Sequence, residues 1–560
     1  MKRPGKKETV MFRRHNPRWL VVGLLVLSYG LALTSAIQKS PTMDEQNHIA
    51  RGAAYLGTGD PRLSVEHPPL VNVLSALPAH LLLDLRLPLD TVWWEAGEWY
   101  HFADLFLWEV NSNAEQIVFL ARLPIIGLGL MLAALVFRWA SARFGPWSGL
   151  LATVFCVLDP NVLAHERLST TDVGGTFFVF LAAYVLWRAI RRPSPPRILV
   201  AGLALGLAFA AKLSALLFGP ILALAVLLDG VAGGPGRARR LSGRVALVLV
   251  VTLLGLLVVW ATYCFQVGPL EEGGPPVPAP PYVRGIRAVL NFAANGRPGY
   301  LLGQIRTGGW WYYFPVAFAV KTPLATLIAL LPATWLALRR LQRDDLFLLL
   351  PPVAYFLVSM TSSLNIGYRH LLPILPFLAV HISRLATPSS RFPLPASCFL
   401  LPAPRIACYL SVVLVVALAF STLSIYPHFL AYFNPIGGGP ENGWRILVDS
   451  NIDWGQDLKG LRAWMERKGI ERVRLSWFGS ARPEAYGIVY DLLPGVPHGF
   501  SLWESPPFNR QQPEPGIYVI SVTNLVGVIF PDHDIFAWFR VRLPDDRIGY
   551  SLFVYRVSAQ

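Results

Sequence analysis

The chain has 560 residues, 54% hydrophobic and only 15% charged. Soluble globular proteins carry roughly a quarter charged residues, so a soluble enzyme is excluded and a polytopic α-helical membrane protein is expected. The formal charge of +15 does not point to nucleic acid, because Lys and Arg gather at the ends of apolar runs.

A basic tail (1–18, with Lys2, Arg3, Lys6, Lys7, Arg13, Arg14 and Arg18) precedes an apolar run over 19–37. A cleaved signal peptide is the competing reading, but the run is long for one and many more spans follow. Further runs lie near 117–137, 147–163, 172–190, 198–212, 214–230, 244–264, 314–337, 346–361, 370–384 and 406–426, giving about 11 transmembrane helices. With the tail in the cytoplasm, the even-numbered connections fall there too. They contain "FRWASARF", "WRAIRRPSPPR", "GRARRLSGR", "LRRLQRDD" and "HISRLATPSSRF", all net basic, which agrees with the orientation. Four cysteines are too few for a disulfide framework. Cys156, Cys264 and Cys408 lie in or beside apolar runs and Cys398 in a cytoplasmic connection, so no structural disulfide is expected.

The opposite side then receives a first loop (38–116), a second loop (265–313) and a C-terminal region (427–560), with 19–426 as the membrane domain. The C-terminal region reads as a small α/β domain. "WRILVDS", "RVRLSWFG", "GIYVISV" and "YSLFVYRV" are expected strands, and "DLKGLRAWMERKG" is an expected amphipathic helix. Its Asp449, Asp453 and Asp457 suit turns and helix starts better than a metal loop.

In the first loop, Thr42 and Glu45 fit a capping box, and Ile49, Ala53 and Leu56 follow at helical spacing. The reading is an amphipathic helix along the membrane surface, ended by Gly57, Gly59 and Pro61. Asp44 and Glu45 are candidate acid–base groups, with capping and the helix dipole as the alternative. Asp172 opens the fourth run. Lys212 lies where the fifth reaches the same side, Lys321 lies inside the eighth, and Arg369 and His370 open the tenth. Each also has a plain reading as a cap, a snorkelling cation or a helix-end charge. His67 reads equally as a turn residue before Pro68. Trp93, Trp94, Trp99 and Trp108 suit an interfacial belt better than a sugar platform. Ionisable residues at membrane depth mark functional sites. Their clustering on one side favours catalysis on a membrane-anchored, anionic substrate over a path through the midplane.

Several motifs carry a resemblance. They are Asp44-Glu45 after the first run, "GD" at 59–60, "EHPPL" at 66–70, "TD" opening the fourth run, "YLLGQIRTGGWWYYFPVAFAVKTPL", "NIGYRHLLPILP" and "YFNPIGGGPENGWRILVDSNIDWGQDL". Together they resemble the GT-C lipid-carrier-dependent glycosyltransferases, the group of the protein O-mannosyltransferases and the lipid A aminoarabinose transferase. The later motifs look like the bacterial phospholipid-carrier-dependent subgroup. The resemblance implies a polyprenyl- or dolichyl-phosphate sugar donor and inverting transfer of a single sugar to a protein or glycolipid hydroxyl. It also implies a site at the outer face of a bacterial plasma membrane. By it, Asp44, Glu45 and Asp172 are catalytic candidates, and Arg167, Lys212, Lys321, Arg369 and His67 are candidates for the donor phosphate. Glu66, His165, Arg306, Tyr368 and His370 are further pocket candidates. His67 stands where relatives carry Lys, which weakens it as a phosphate ligand because His is only partly charged at neutral pH. Asp44, Glu45, Asp172 and His165 or His67 offer oxygen and nitrogen ligands, but their spacing shows no dedicated cage; no metal or cofactor is assigned. A transporter or flippase of lipid-linked sugars, and a lipid-linked oligosaccharide or polymer ligase, are the alternatives.

Overall fold

A computed structural model describes residues 17–231, 236–387, 403–495 and 508–558, with backbone only over 403–410. The basic residues of the tail before Arg18, and Cys398, lie outside the described residues. Every apolar run is helical. Those used below are α1 (Arg18–Gln38), α2 (Glu45–Thr58), α3 (Pro69–Leu82), α4 (Trp99–Trp108), α5 (Ala114–Phe144), α6 (Pro146–Val157), α7 (Pro160–Glu166), α8 (Thr171–Arg191), α9 (Pro195–Ala211), α10 (Leu213–Val231), α11 (Arg237–Ala261), α12 (Pro280–Asn295), α13 (Tyr313–Lys321), α14 (Leu324–Arg339), α15 (Leu346–Ser359), α16 (Leu375–Ile382), α17 (Ala403–Leu423) and α18 (Leu458–Lys468).

Five of these (α1, α5, α8, α10 and α11) are long and apolar enough to cross a membrane, and seven spans result if two bent pairs each count as one. Of the other expected spans, α9, α15 and α16 are shorter helices, and α17 has 21 residues. The bends have local causes. Between α6 and α7 the chain turns by 65°, where the Asp159 carboxylate caps α7 by accepting from the backbone N–H of Asn161 at 2.8 Å, with Pro160 at the first helical position. Between α13 and α14 it turns by 107° at Pro323. There the Asn434 amide donates to the carbonyls of Ala319 and Thr322, each at 2.7 Å, which the broken ladder leaves unpaired. The core is aromatic at its centre: Trp139 meets the rings of Phe180, Tyr184, Trp187 and Phe377.

The C-terminal region carries a five-stranded mixed sheet in the order β6-β5-β7-β9-β8. Its strands are β5 (Val473–Ser476), β6 (Tyr490–Leu492), β7 (Gly516–Ser521), β8 (Asp546–Ile548) and β9 (Leu552–Val557), and α18 packs on it. The ribbons β1–β2 (Val267–Pro269, Pro276–Pro278) and β3–β4 (Pro298–Leu301, Gln304–Thr307) precede it in the second loop. Three of the four expected strands and the helix form. "WRILVDS" does not. It runs through short 3-10 turns, with Asp449 at φ 58° and Leu447 and Val448 buried. Its apolar residues serve a buried crossing rather than a sheet face.

The expectation of α2 as a helix lying on the membrane surface also needs correction. Residues 45–54 are buried on all faces, between α3 and α4. Gly52 permits the close approach to α3, because a Cβ there would lie 2.0 Å from the Asn72 carbonyl oxygen. Polar residues of α2 are therefore internal.

Candidate active site

Asp44 immediately precedes α2, and the segment before it is clamped by the 454–457 stretch. The Met43 N–H donates to the Trp454 carbonyl at 2.8 Å, and the Ser40 N–H to that of Gln456 at 3.1 Å. The Leu458 N–H donates to Ser40 Oγ at 3.1 Å. Arg369, which opens a 3-10 segment with Tyr368, donates from Nη1 to Asp44 Oδ2 at 3.0 Å and lies 3.8 Å from Asp172 Oδ2. Its guanidinium rests 4.2 Å from the centroid of the Trp454 ring. Asp172 occupies the first turn of α8, where the helix dipole favours a carboxylate. It pairs with Lys212 and accepts from Thr170 Oγ1 at 3.1 Å. Gly175 makes room for that pair, since a Cβ there would sit 3.1 Å from the Lys212 Cβ. Two acids and two bases thus alternate in one row: Lys212, Asp172, Arg369, Asp44. Asp44 is the most open of the four, its side chain 31% exposed against 2% for Asp172.

His67, half-buried ahead of α3, places Nδ1 3.5 Å from Thr171 Oγ1, and its ring meets that of His48 at 4.7 Å. His48 Nδ1 pairs with Asn72 Oδ1 at 2.9 Å. Burial, with Arg51 nearby, holds His48 down at about 4, and burial with His48 and Arg51 keeps His67 well below the usual histidine range. Both imidazoles are neutral at physiological pH. Neither imidazole brings a permanent positive charge to the row. His165 is buried, its ring 6.3 Å from that of Trp454. His370 follows Arg369, and Glu66 is half-buried beside His67.

The structure separates other candidates from this row. Glu45 has no exposed surface. It faces Arg122 through two bonds of 2.8 Å, and it accepts from the N–H groups of Ser169 at 2.9 Å and Thr42 at 2.8 Å. The expected capping box does not form: α2 starts at Glu45 with Asp44 at its N-cap position and no side-chain cap bond, and Thr42 donates to Glu45 from its hydroxyl as well, at 3.2 Å. Burial alone would raise the Glu45 carboxyl, but Arg122 and these bonds more than offset it and hold it below the usual range. Lys321 donates to the carbonyls of Leu430 at 2.8 Å and Asn451 at 2.6 Å, so it pegs the α13–α14 bend to the loops that follow α17. Tyr368 is buried, with its hydroxyl 2.9 Å from Thr322 Oγ1. Arg306 is exposed on β4, outside the row. Arg167 is fully buried, and among the described residues its guanidinium nitrogens have no hydrogen-bond partner. Asp449, Asp453 and Asp457 diverge: Asp457 pairs with Lys39, Asp453 accepts from the Thr523 N–H at 2.9 Å, and Asp449 from the Ser450 N–H at 2.6 Å. Among the described residues no three His, Cys, Asp or Glu side chains are arranged to hold a metal.

Sequence reasoning missed Trp454, His48, Asn72 and Arg51. His48 and Arg51 had a signal: Asp44, His48 and Arg51 stand at i, i+4 and i+7, one face of α2.

Residues 106–264 match the family of dolichyl-phosphate-mannose-protein mannosyltransferases. That segment holds Arg122, Arg167, Asp172 and Lys212. Across the whole chain the fold is similar to that of ArnT from Cupriavidus metallidurans, solved bound to undecaprenyl phosphate. The TM-score is 0.50 at 13% identity, covering 96% of this chain and 98% of that one. The chain shares this fold over nearly its whole length. Weaker similarities extend to the Archaeoglobus fulgidus oligosaccharyltransferase AglB (TM-score 0.45, 12% identity, 72% of this chain and 55% of that one). They also extend to the S. cerevisiae protein O-mannosyltransferase Pmt1-Pmt2 complex (0.31, 17%, 45% and 33%). A search of curated protein sequences gave no match. The matched family segment supplies the Lys212–Asp172 half of the row, while Asp44 and Arg369 come from either side of it.

Proposed function

We propose that this protein is a glycosyltransferase that moves a single sugar, with inversion, from a polyprenyl-phosphate carrier to an acceptor hydroxyl at the outer face of a bacterial plasma membrane. The N-terminus is then cytoplasmic, and the loops 38–116 and 265–313 and the region 427–560 are extracytoplasmic. The observation that carries the reading is the row itself: an open carboxylate hydrogen-bonded at 3.0 Å to an arginine that also reaches Asp172. The undecaprenyl phosphate bound to the ArnT of similar fold supports the donor class.

The chemistry follows from the charges. The anomeric carbon–oxygen bond breaks toward the lipid phosphate, which leaves with the electron pair. Arg369 and Lys212 stabilise the charge gathering on that phosphate. The acceptor oxygen attacks from the opposite face, and Asp44 takes its proton. An arriving phosphate competes with Asp44 for Arg369, so donor binding itself releases the base from its ion pair.

Purified protein is expected to consume at least one polyprenyl-phosphate hexose, slowly by hydrolysis without acceptor, and Asp44→Asn is expected to abolish this. Turnover that survives Asp44→Asn removes Asp44 as the base. A lipid-linked sugar that crosses a vesicle bilayer with no donor consumed would make the protein a transporter.

A further inference from the structure

Two buried arginines of this protein present the same guanidinium edge in opposite states. Arg122 uses Nε and Nη2 to grip both oxygens of Glu45. That edge carries two parallel N–H groups, matched to the paired oxygens of a carboxylate or phosphate. Arg51, on α2, is 3% exposed, and among the described residues its Nε and Nη2 have no hydrogen-bond partner. The guanidinium is braced by Trp99, 4.5 Å from its centroid. Asn72 Nδ2, on the facing helix α3, is a buried donor likewise without a partner, while Asn72 Oδ1 is engaged by His48. Asp44, Glu66 and Glu98 lie within electrostatic reach of Arg51, but among the described residues no carboxylate forms an ion pair with it. A buried cation with vacant donors is costly, and the cost is removed when an anion occupies them.

We propose that the Nε/Nη2 edge of Arg51, with Asn72 Nδ2, is an anion-binding subsite beside Asp44 that grips the phosphate of the lipid-linked donor. The inference rests on the lipid-phosphate reading above and adds the residue that holds the phosphate against the first loop. It also accounts for His67. Burial keeps His67 and His48 neutral, whereas Arg51, lowered by burial only to about 10, stays charged at physiological pH. Arg51 thus supplies the permanent positive charge that a histidine cannot.

The test is equilibrium binding of undecaprenyl phosphate in detergent micelles, with donor KM and thermal unfolding, for wild type, Arg51→Gln, Arg51→Lys and Asp44→Asn. Inorganic phosphate serves as a second probe. Arg51→Gln is expected to weaken undecaprenyl phosphate binding about tenfold or more and raise donor KM, without lowering Tm, because an unpaired buried charge has been removed. Arg51→Lys keeps the charge but loses the paired edge, and is expected to fall between. Inorganic phosphate binding that weakens in parallel confirms a headgroup subsite; a loss confined to the lipid, with inorganic phosphate still bound equally well, would place Arg51 against the chain instead and overturn the subsite. Unchanged lipid binding in Arg51→Gln overturns it too, as does a lower Tm with unchanged KM, the mark of a structural arginine. If Arg51→Gln does not fold, wild-type binding by Arg51→Lys overturns it. A wild type that binds no undecaprenyl phosphate, alongside an Asp44→Asn that also binds none, is a failure of the donor reading rather than of Arg51 alone.

Discussion

Glu45 meets Arg122 through two bonds of 2.8 Å and shows no surface, whereas Asp44, one residue earlier, keeps 31% of its side chain exposed and meets Arg369 through one bond of 3.0 Å. The sealed cluster joins the end of α1, the start of α2 and α5, because Arg122 also donates to the carbonyls of Ala36 at 2.6 Å, Lys39 at 3.0 Å and Ser40 at 3.1 Å. The open cluster joins α2, α8, the Lys212 corner and the 3-10 segment at Arg369. Both hold buried charge, so charge near a membrane does not by itself identify a site. What separates them is whether every donor and acceptor is already used.

The comparison breaks most visibly at Asp44. Asp44→Asn keeps the shape and removes the base, and is expected to cut kcat by about 10²–10⁴-fold with little change in Tm. Glu45→Gln is expected to do the reverse. It leaves Arg122 uncompensated, costing about 3–5 kcal/mol of stability, while the molecules that stay folded keep their turnover. A thermal unfolding series paired with single-turnover rates checks both. Equal loss of turnover in the two variants would erase the distinction between the clusters.

pH sharpens the same contrast. The Glu45 carboxyl is held below its usual range, so its contribution to stability is complete above the unfolded carboxyl pKa of about 4.3. It is lost as pH falls through the lower folded value. Wild type is therefore expected to lose Tm below about pH 4 more steeply than Glu45→Gln. Parallel curves would show that the Glu45–Arg122 pair is not what acid dissolves.

Much of the fold was legible in the sequence and less of the site. The apolar runs became helices because hydropathy alone forces backbone groups to pair internally in lipid. Asp44, Asp172, Lys212 and Arg369 stood out as charges at one end of those runs. Arg51 and His48 did not, because on an amphipathic helix they read as the polar face turned to water, and only the packing of α3 and α4 around α2 buries them. The sealing of Glu45 depends on Arg122, more than seventy residues away, and no local pattern announces that pairing. "WRILVDS" misled because a short apolar run such as Ile446-Leu447-Val448 suits a buried crossing as well as a strand.

The smallest expected effect tests the remote partner of the row. Trp454 contributes in two separable ways: its carbonyl holds Met43, and its ring seats Arg369. Trp454→Leu removes the second and part of the buried packing of the indole, while the carbonyl belongs to the backbone and stays. A cation over an indole is worth about 0.5–2 kcal/mol depending on exposure. The loss should therefore appear as a rise of about two- to thirtyfold in donor KM, as Arg369 drifts from its bridging position. The clamp on the first loop stays in place, so the fall in Tm should reflect only the vacated ring volume. A variant with wild-type KM would mean that Asp44 and Asp172 alone position Arg369, and that the C-terminal region serves the open cluster only by holding the chain that leads into α2.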